Sequence, residues 1–130
     1  MLADAAQVTA DGKLWMLGGN IESIGALSFP AIHPALALIL KVVWEPSDGH
    51  RVPLTISALA EGEQFAPPFT QVLDLATARR APDGNYAFVF SLNYFTLQFE
   101  RPGIYSFQLS VNQAAIAERR FNLAATPAVR

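Results

Sequence analysis

The segment between positions 97 and 111 constrains the fold most strongly, because apolar residues occupy every second position in its second half. These apolar positions are Tyr105, Phe107, Leu109 and Val111. The residues between them are Ser106, Gln108 and Ser110. A period of two places alternate side chains on opposite faces of an extended strand. The segment therefore predicts a β-strand with one apolar face and one polar face.

A turn precedes this strand at Arg101-Pro102-Gly103-Ile104. Proline presets φ at the second turn position, and glycine tolerates the positive φ that a type II turn requires at the third. Tyr105 follows Gly103 by two positions, a spacing that resembles the tyrosine corner of immunoglobulin-like sandwiches. We therefore expect the Tyr105 hydroxyl to bind the backbone of the preceding corner.

Three Asp-Gly dipeptides, which favour two-residue hairpin turns, separate further extended segments. The first predicts a hairpin between Leu2–Val8 and residues 13–17. The second, Asp48-Gly49, predicts a hairpin between residues 35–44 and residues 52–58. The third lies in a predicted long loop at residues 76–85.

Several segments break the simple pattern. Gly18-Gly19 predicts a bulge or break in the second strand. A bulge is also expected at Asn93-Tyr94, because the apolar positions change parity there and one strand face cannot hold both sets. Residues 61–69, which include Pro67-Pro68, are expected to be irregular. Residues 114–124 suit a helix by propensity and a strand by alternation, and we favour the strand.

These patterns together predict one domain over residues 1–130, an all-β antiparallel sandwich of about eight strands. The immunoglobulin-like and the C2-like types both fit. A chain of 130 residues is long enough to form a sizeable core without covalent crosslinks.

Composition excludes several classes of function. The chain has no cysteine, which excludes disulfide frameworks, thiol nucleophiles and cysteine-based metal sites. The net charge is −2 with no basic stripe, so we expect no nucleic-acid partner. The longest apolar run, residues 35–40, is far shorter than the roughly 20 residues of a membrane helix. No signal peptide is visible at the start, and we expect a cytoplasmic protein.

The chain resembles an uncharacterised family of small bacterial β-sandwich proteins, known as a domain of unknown function. The residues that carry the resemblance are Asp4-Ala5-Ala6, Asp11-Gly12-Lys13-Leu14, Leu17-Gly18-Gly19, Phe29-Pro30 and Pro102-Gly103-x-Tyr105-x-Phe107. The resemblance spans nearly the whole chain and implies a sandwich fold in a bacterial, cytosolic setting. It implies no catalytic residue.

Candidate chemistry is sparse, and we expect no catalytic residue, no metal site and no cofactor. Neither His33 nor His50 has a second histidine at metal-ligand spacing. The best polar cluster is Glu45, Asp48 and His50, which is a weak candidate because polar residues are also the usual way to solvate a turn. Three aromatic residues are weak ligand-binding candidates, namely Trp15, Trp44 and Tyr94.

The surface composition is unusual. Charged residues form 15% of the chain against about 25% in typical domains, and apolar residues form 52%. We therefore predict a non-catalytic interaction module that associates with itself or with a partner protein, with Leu2–Val8 or residues 70–75 as the pairing edge. The alternative is a small-ligand or carbohydrate-binding module that uses the three aromatic candidates.

Overall fold

A computed structural model describes residues 1–10, 13–44, 51–74, 79–80 and 82–125 of the chain. All regular structure in these residues is β-strand, and no helix there has the length and apolar character of a membrane span. The described residues contain ten strands: β1 (Leu2–Val8), β2 (Leu14–Gly19), β3 (Ser23–Ala26), β4 (Ala31–Trp44), β5 (Arg51–Ala60), β6 (Glu63–Asp74), β7 (Arg79–Arg80), β8 (Tyr86–Phe99), β9 (Gly103–Val111) and β10 (Ala114–Ala125).

The strands form two five-stranded sheets. In the first sheet the order is β2-β1-β4-β8-β7, and in the second it is β3-β10-β9-β5-β6. Every pairing is antiparallel except that of β3 with β10, which is parallel. The prediction of an all-β fold is confirmed, and two sheets sharing one core fit a β-sandwich. The described residues hold more strands than predicted, since β7 lies where a long loop was expected.

The core lies between the two sheets and is rich in aromatic rings. Phe99 from β8 meets Tyr105 from β9 edge to face, with ring centroids 4.9 Å apart. Phe107 and Phe121 stack at 5.5 Å, which joins β9 to β10. Such aromatic pairs contribute about 0.5–1.5 kcal/mol each beyond the burial of their area. The apolar alternation read from β9 therefore reports the face that packs into this core.

The corner before β9 has the predicted tyrosine contact. The Tyr105 hydroxyl donates a 2.6 Å hydrogen bond to the Arg101 carbonyl, four residues earlier. Gly103 has a φ of 145°, a conformation that side-chain-bearing residues rarely adopt. The predicted contact of the Tyr105 hydroxyl with the backbone of the preceding corner is confirmed.

Residues 114–124 form a strand, as favoured from the alternation. They belong to β10, which pairs with β9 from Ala114↔Val111 to Leu123↔Gly103. Phe121 and Leu123 are buried in the core. The burial of these alternate residues outweighs the helix propensity of the alanine-rich segment, because tertiary packing routinely overrides local preference.

The prediction that the strands on either side of Asp48-Gly49 pair as a hairpin is wrong. β4 pairs with β1 and β8, whereas β5 pairs with β6 and β9, so the chain crosses from one sheet to the other between these strands. The dipeptide itself lies outside the described residues. An Asp-Gly signal concerns local turn geometry, and it cannot determine which strands become hydrogen-bonded neighbours.

The structure refines the two predicted irregularities. The β1–β2 register keeps step from Val8↔Leu14 to Ala3↔Gly19, so no extra residue is inserted, but Gly18 has a φ of 60° and interrupts the extended backbone as predicted. This left-handed conformation favours glycine, and a Cβ there would also overlap the Asp4 carboxylate. The β4–β8 register runs unbroken past Asn93, and the change of face occurs instead at Thr96, whose φ is 56°.

The edge strands differ in part from the prediction. Leu2–Val8 is not an edge, because β1 lies between β2 and β4. Residues 70–74 do belong to an edge strand, β6, and residue 75 lies outside the described residues. Residues 61–69 are more regular than expected, since Glu61-Gly62 forms a tight turn between β5 and β6. Pro67-Pro68 fits within β6 because the register shifts there and edge strands tolerate proline.

Candidate functional site

The hairpin formed by β1 and β2 folds over the outer face of the first sheet. β1 pairs with β4 only at Leu2↔Leu38 and Ala3↔Ala37. Farther along β1, the Ala6 carbonyl accepts a hydrogen bond from Asn93 Nδ2 at 3.3 Å. Asn93 lies on β8 between inward-facing neighbours, so its side chain projects from the outer face of the sheet. The hairpin therefore leaves the line of β4 and crosses toward β8.

One side of the hairpin packs against the sheet. Ala6 and Leu14 pack on Ala37 and Ile39 of β4, and Ala3 completes this small apolar cluster. Ala37 and Ile39 would otherwise lie on an exposed sheet face, since neighbouring β4 residues already face the main core. This packing fixes which side of the hairpin remains outside.

The remaining side exposes large apolar residues. The side chain of Trp15 is 63% exposed and that of Leu17 is 72% exposed. They lie two positions apart on β2 and so share a face, and their cross-strand neighbours are Gln7 and Ala5. We call these four residues the hairpin surface. Two large apolar side chains side by side are more informative than single exposed ones, which are common on any protein.

β2 is also an edge strand without the usual protection. Natural edge strands are commonly protected by charged residues, proline or bulges, which prevent pairing with other chains. The β2 sequence LWMLGG carries no charged residue and no proline, and its register with β1 does not shift, although Gly18 near its end has a φ of 60°. The β6 edge of the other sheet differs, because it carries Glu63, Asp74, two prolines and a shifted register. β2 is therefore the less protected of these two edges.

A further apolar side chain lies on the same outer face. Phe95 is 73% exposed and follows Asn93 by two positions on β8. Alternate residues of a strand are about 7 Å apart, so Phe95 lies beside the region that the hairpin covers. The exposed apolar area thus extends from the hairpin toward β8.

The structure places the predicted aromatic site residues apart. Trp15 is exposed on the hairpin surface. Tyr94 faces the core, and its ring stacks on Phe107 with centroids 5.1 Å apart. Burial raises the pKa of Tyr94 to about 12, and its hydroxyl finds no hydrogen-bond partner in the described part of the chain. For Trp44 the structure describes the backbone at the end of β4, while its side chain lies outside the description. Trp15 and Tyr94 therefore do not share one stacking surface.

The polar cluster predicted at Glu45, Asp48 and His50 lies outside the described residues. Among the residues that the structure does describe, no group of three or more histidines, aspartates or glutamates could hold a metal ion. Sequence reasoning did not identify Leu17 as a site residue. The available signal was its spacing of two from Trp15 within an uncharged strand.

Three cavities lie elsewhere on the described part of the molecule. A shallow groove of about 530 Å³ runs along β5 and β6 beside the β9–β10 turn. A cleft of about 440 Å³ lies at the tyrosine corner, beside Glu63, Glu100 and Arg101. A third cleft, of about 230 Å³, opens between the two sheets beside Arg119. Trp15 and Tyr94 line none of the three.

Comparison with protein families gives one relevant match. A model described as "Family of unknown function (DUF6941)" matches residues 1–124. Neither the comparison with curated proteins nor that with solved structures gave a match. The family match covers all ten described strands except the final residue of β10.

Proposed function

The chain belongs to this family of unknown function, and we propose that it is a non-catalytic assembly module whose copies associate through β2 and the hairpin surface. The observation that carries the proposal is the pair of exposed residues Trp15 and Leu17 on an edge strand that has no charge. Aromatic residues in such positions are the usual anchors of protein interfaces.

Self-association suits this surface because it carries no charge, so two identical copies bring no like charges together. Trp15, Leu17, Gln7 and Ala5 are all neutral, so two copies can meet about a twofold axis without electrostatic repulsion. Pairing of β2 with β2 of a second copy would satisfy the outward backbone groups of both edges. The exposed apolar side chains of the two copies would then become cross-strand neighbours and shield part of each other's surface from water, which adds a hydrophobic contribution to the backbone pairing.

Light scattering over a wide dilution series tests the proposal. The natural chain is expected to form a stable oligomer, and the double variant Trp15→Lys, Leu17→Lys is expected to be a monomer. Val72→Lys is the matched control, because Val72 is 53% exposed on β6, the edge of the other sheet. A natural chain that is monomeric at every concentration contradicts self-assembly and leaves a foreign protein partner as the occupant of the surface.

The variants must remain folded for this comparison to be valid. Trp15 and Leu17 project away from the hairpin side that packs on Ile39, so their replacement is expected to leave thermal unfolding nearly unchanged. An oligomer that persists in the folded double variant shows that another surface joins the copies. Loss of the oligomer in Val72→Lys alone would move the interface to β6.

Two finer assignments are also proposals. We propose the immunoglobulin-like type of sandwich, which the Tyr105–Arg101 contact supports. We also propose a cytoplasmic location, which the absence of cysteine supports because disulfides mark oxidising compartments. Detection of the intact protein in cell fractions tests the second of these.

A further inference from the structure

The cleft of about 230 Å³ lies where both sheets lack a strand neighbour among the described residues. In the first sheet, β1 pairs with β4 at Leu2↔Leu38 and Ala3↔Ala37, and Met1 exchanges two backbone hydrogen bonds with Ile39, so Leu40 lies just beyond the paired residues. In the second sheet, β3 pairs with β10 only from Asn122 to Ala125. The sandwich is therefore open on the side where β4 faces the first half of β10.

Apolar residues from both sheets form the base of this cleft. Leu38, Ile56 and Phe107 are almost completely buried and belong to the main core. The remaining apolar lining residues are Met1, Leu40, Leu109 and Ala117. The cleft thus gives access from the surface to the interior between the sheets.

A bulge in β10 and a small side chain leave this space open. The β9–β10 register shifts between Ala115 and Ala117. Beyond the bulge, Ala117 and Arg119 alternate in step with the buried residue Phe121, so they occupy inward-facing positions. Ala117 and Arg119 thus occupy inward-facing positions, whereas the next two such positions of β10 hold the large apolar residues Phe121 and Leu123.

Arg119 supplies a cation at the rim of the cleft. Its Nη2 atom donates to the Ile21 carbonyl at 3.4 Å and lies 3.8 Å from Glu22 Oε1. Its Nε atom is buried and has no hydrogen-bond partner among the residues that the structure describes. The other acidic residue at the rim, Glu118, accepts a 2.8 Å hydrogen bond from Arg120 Nε. A buried guanidinium N–H without an acceptor is unfavourable, and an oxygen from a ligand would satisfy it.

We propose that this cleft binds a medium-chain aliphatic carboxylate, with the tail between the sheets and the carboxylate on Arg119. The volume exceeds the roughly 150 Å³ of a cavity that holds benzene and is below the roughly 300 Å³ of drug-sized sites, which suits a chain of about eight carbons. A carboxylate accepts hydrogen bonds in the planar arrangement that a guanidinium offers. This site is separate from the hairpin surface and does not depend on the assembly proposal.

Calorimetric titration of the natural chain with octanoate tests the proposal. Octanoate is expected to bind saturably with one site per chain. Arg119→Gln is expected to weaken octanoate binding about tenfold or more, because hydrogen bonds to charged groups are the stronger ones. The uncharged probe 1-octanol should bind the natural chain and Arg119→Gln alike, since only its tail enters the cleft.

Two further variants separate binding from folding. Ala117→Leu is expected to fill the cleft and abolish binding of both probes, while thermal unfolding shows that the chain remains folded. Arg120→Gln is the matched control, because Arg120 is an exposed neighbouring arginine that faces the opposite way. The proposal is overturned if octanoate fails to saturate the natural chain at millimolar concentration. It is equally overturned if Arg119→Gln and Arg120→Gln lose the same affinity.

Discussion

At the scale of single residues, two tyrosine hydroxyls near the core have opposite surroundings. The Tyr105 hydroxyl donates to the Arg101 carbonyl, whereas the Tyr94 hydroxyl is buried and has no partner among the described residues. We expect Tyr105→Phe to lower the free energy of unfolding by about 1 kcal/mol, because a made hydrogen bond is lost. Tyr94→Phe is expected to leave it unchanged or raise it, because an unsatisfied polar group is removed. Urea unfolding of both variants measures the contrast, and equal losses would contradict it.

Tyr94 is also expected to influence stability at alkaline pH. Burial raises the pKa of Tyr94 to about 12, above the value of about 10 for an exposed phenol. The folded chain therefore holds the Tyr94 proton more tightly than the unfolded chain. This contribution to stability is complete below about pH 10 and is lost as the pH rises toward 12. Between these values the unfolding free energy should fall more steeply for the natural chain than for Tyr94→Phe.

At the scale of elements, one two-residue hairpin turn places residues other than glycine at positions with positive φ. Asn112 and Gln113 join β9 to β10 with φ values of 51° and 69°, although neither is glycine. Positive φ costs most L-residues roughly 1–2 kcal/mol, so Gln113→Gly is expected to raise the free energy of unfolding by about 1 kcal/mol. Thermal or urea unfolding measures the gain.

Gly62 provides the matched comparison for that turn. It occupies the second position of the β5–β6 turn with a φ of 86°, and a Cβ there would meet no atom within 4 Å. Gly62→Ala is therefore expected to lower stability by about 1 kcal/mol through backbone strain alone. If both substitutions shift stability in the same direction, turn conformation does not explain either result.

Sequence reasoning found the elements more readily than their neighbours. The alternation in β9 and the Gly103–Tyr105 spacing are local patterns, and both led to correct predictions. The pairing of β5 was not recoverable in this way, because β4 and β5 each bury one apolar face in the same core from different sheets. Alternation indicates that a strand has one buried face, but it does not indicate to which sheet the strand belongs.

The candidate sites likewise depend on contacts between distant residues, which local sequence patterns do not predict. The exposure of Trp15 depends on the way the hairpin folds over Ile39, a contact between residues far apart in the chain. Arg119 could not be identified as a rim residue because its neighbours come from β4, β5 and β9. The composition indicates a surplus of apolar residues, and only the tertiary structure shows which of them are exposed, among them Trp15, Met16 and Leu17 on β2.

At the scale of the whole molecule, the low content of charged residues determines how self-association is expected to depend on salt concentration. The exposed ion pairs, such as Arg101–Glu61 at 3.3 Å, contribute little to stability. The proposed interface contains no charged residue. Association is therefore expected to stay unchanged or strengthen when ionic strength rises from about 0.05 M to about 1 M, because screening affects charges and not apolar contacts. Light scattering at the two salt concentrations measures this, and dissociation at high salt would point to an electrostatic interface instead.

The parallel pairing of β3 with β10 affects how the protein matures during synthesis. Asn122–Ala125, the hydrogen-bond partner of Ser23–Ala26, is translated much later than that strand. At about 5–20 residues per second, β3 leaves the ribosome several seconds before β10 does. During that interval its backbone is unpaired and Ile24 lacks the strand beside it. The second sheet is thus completed only after β10 emerges, so a nascent chain arrested before that point is expected to be cleaved by proteases more readily than the finished chain.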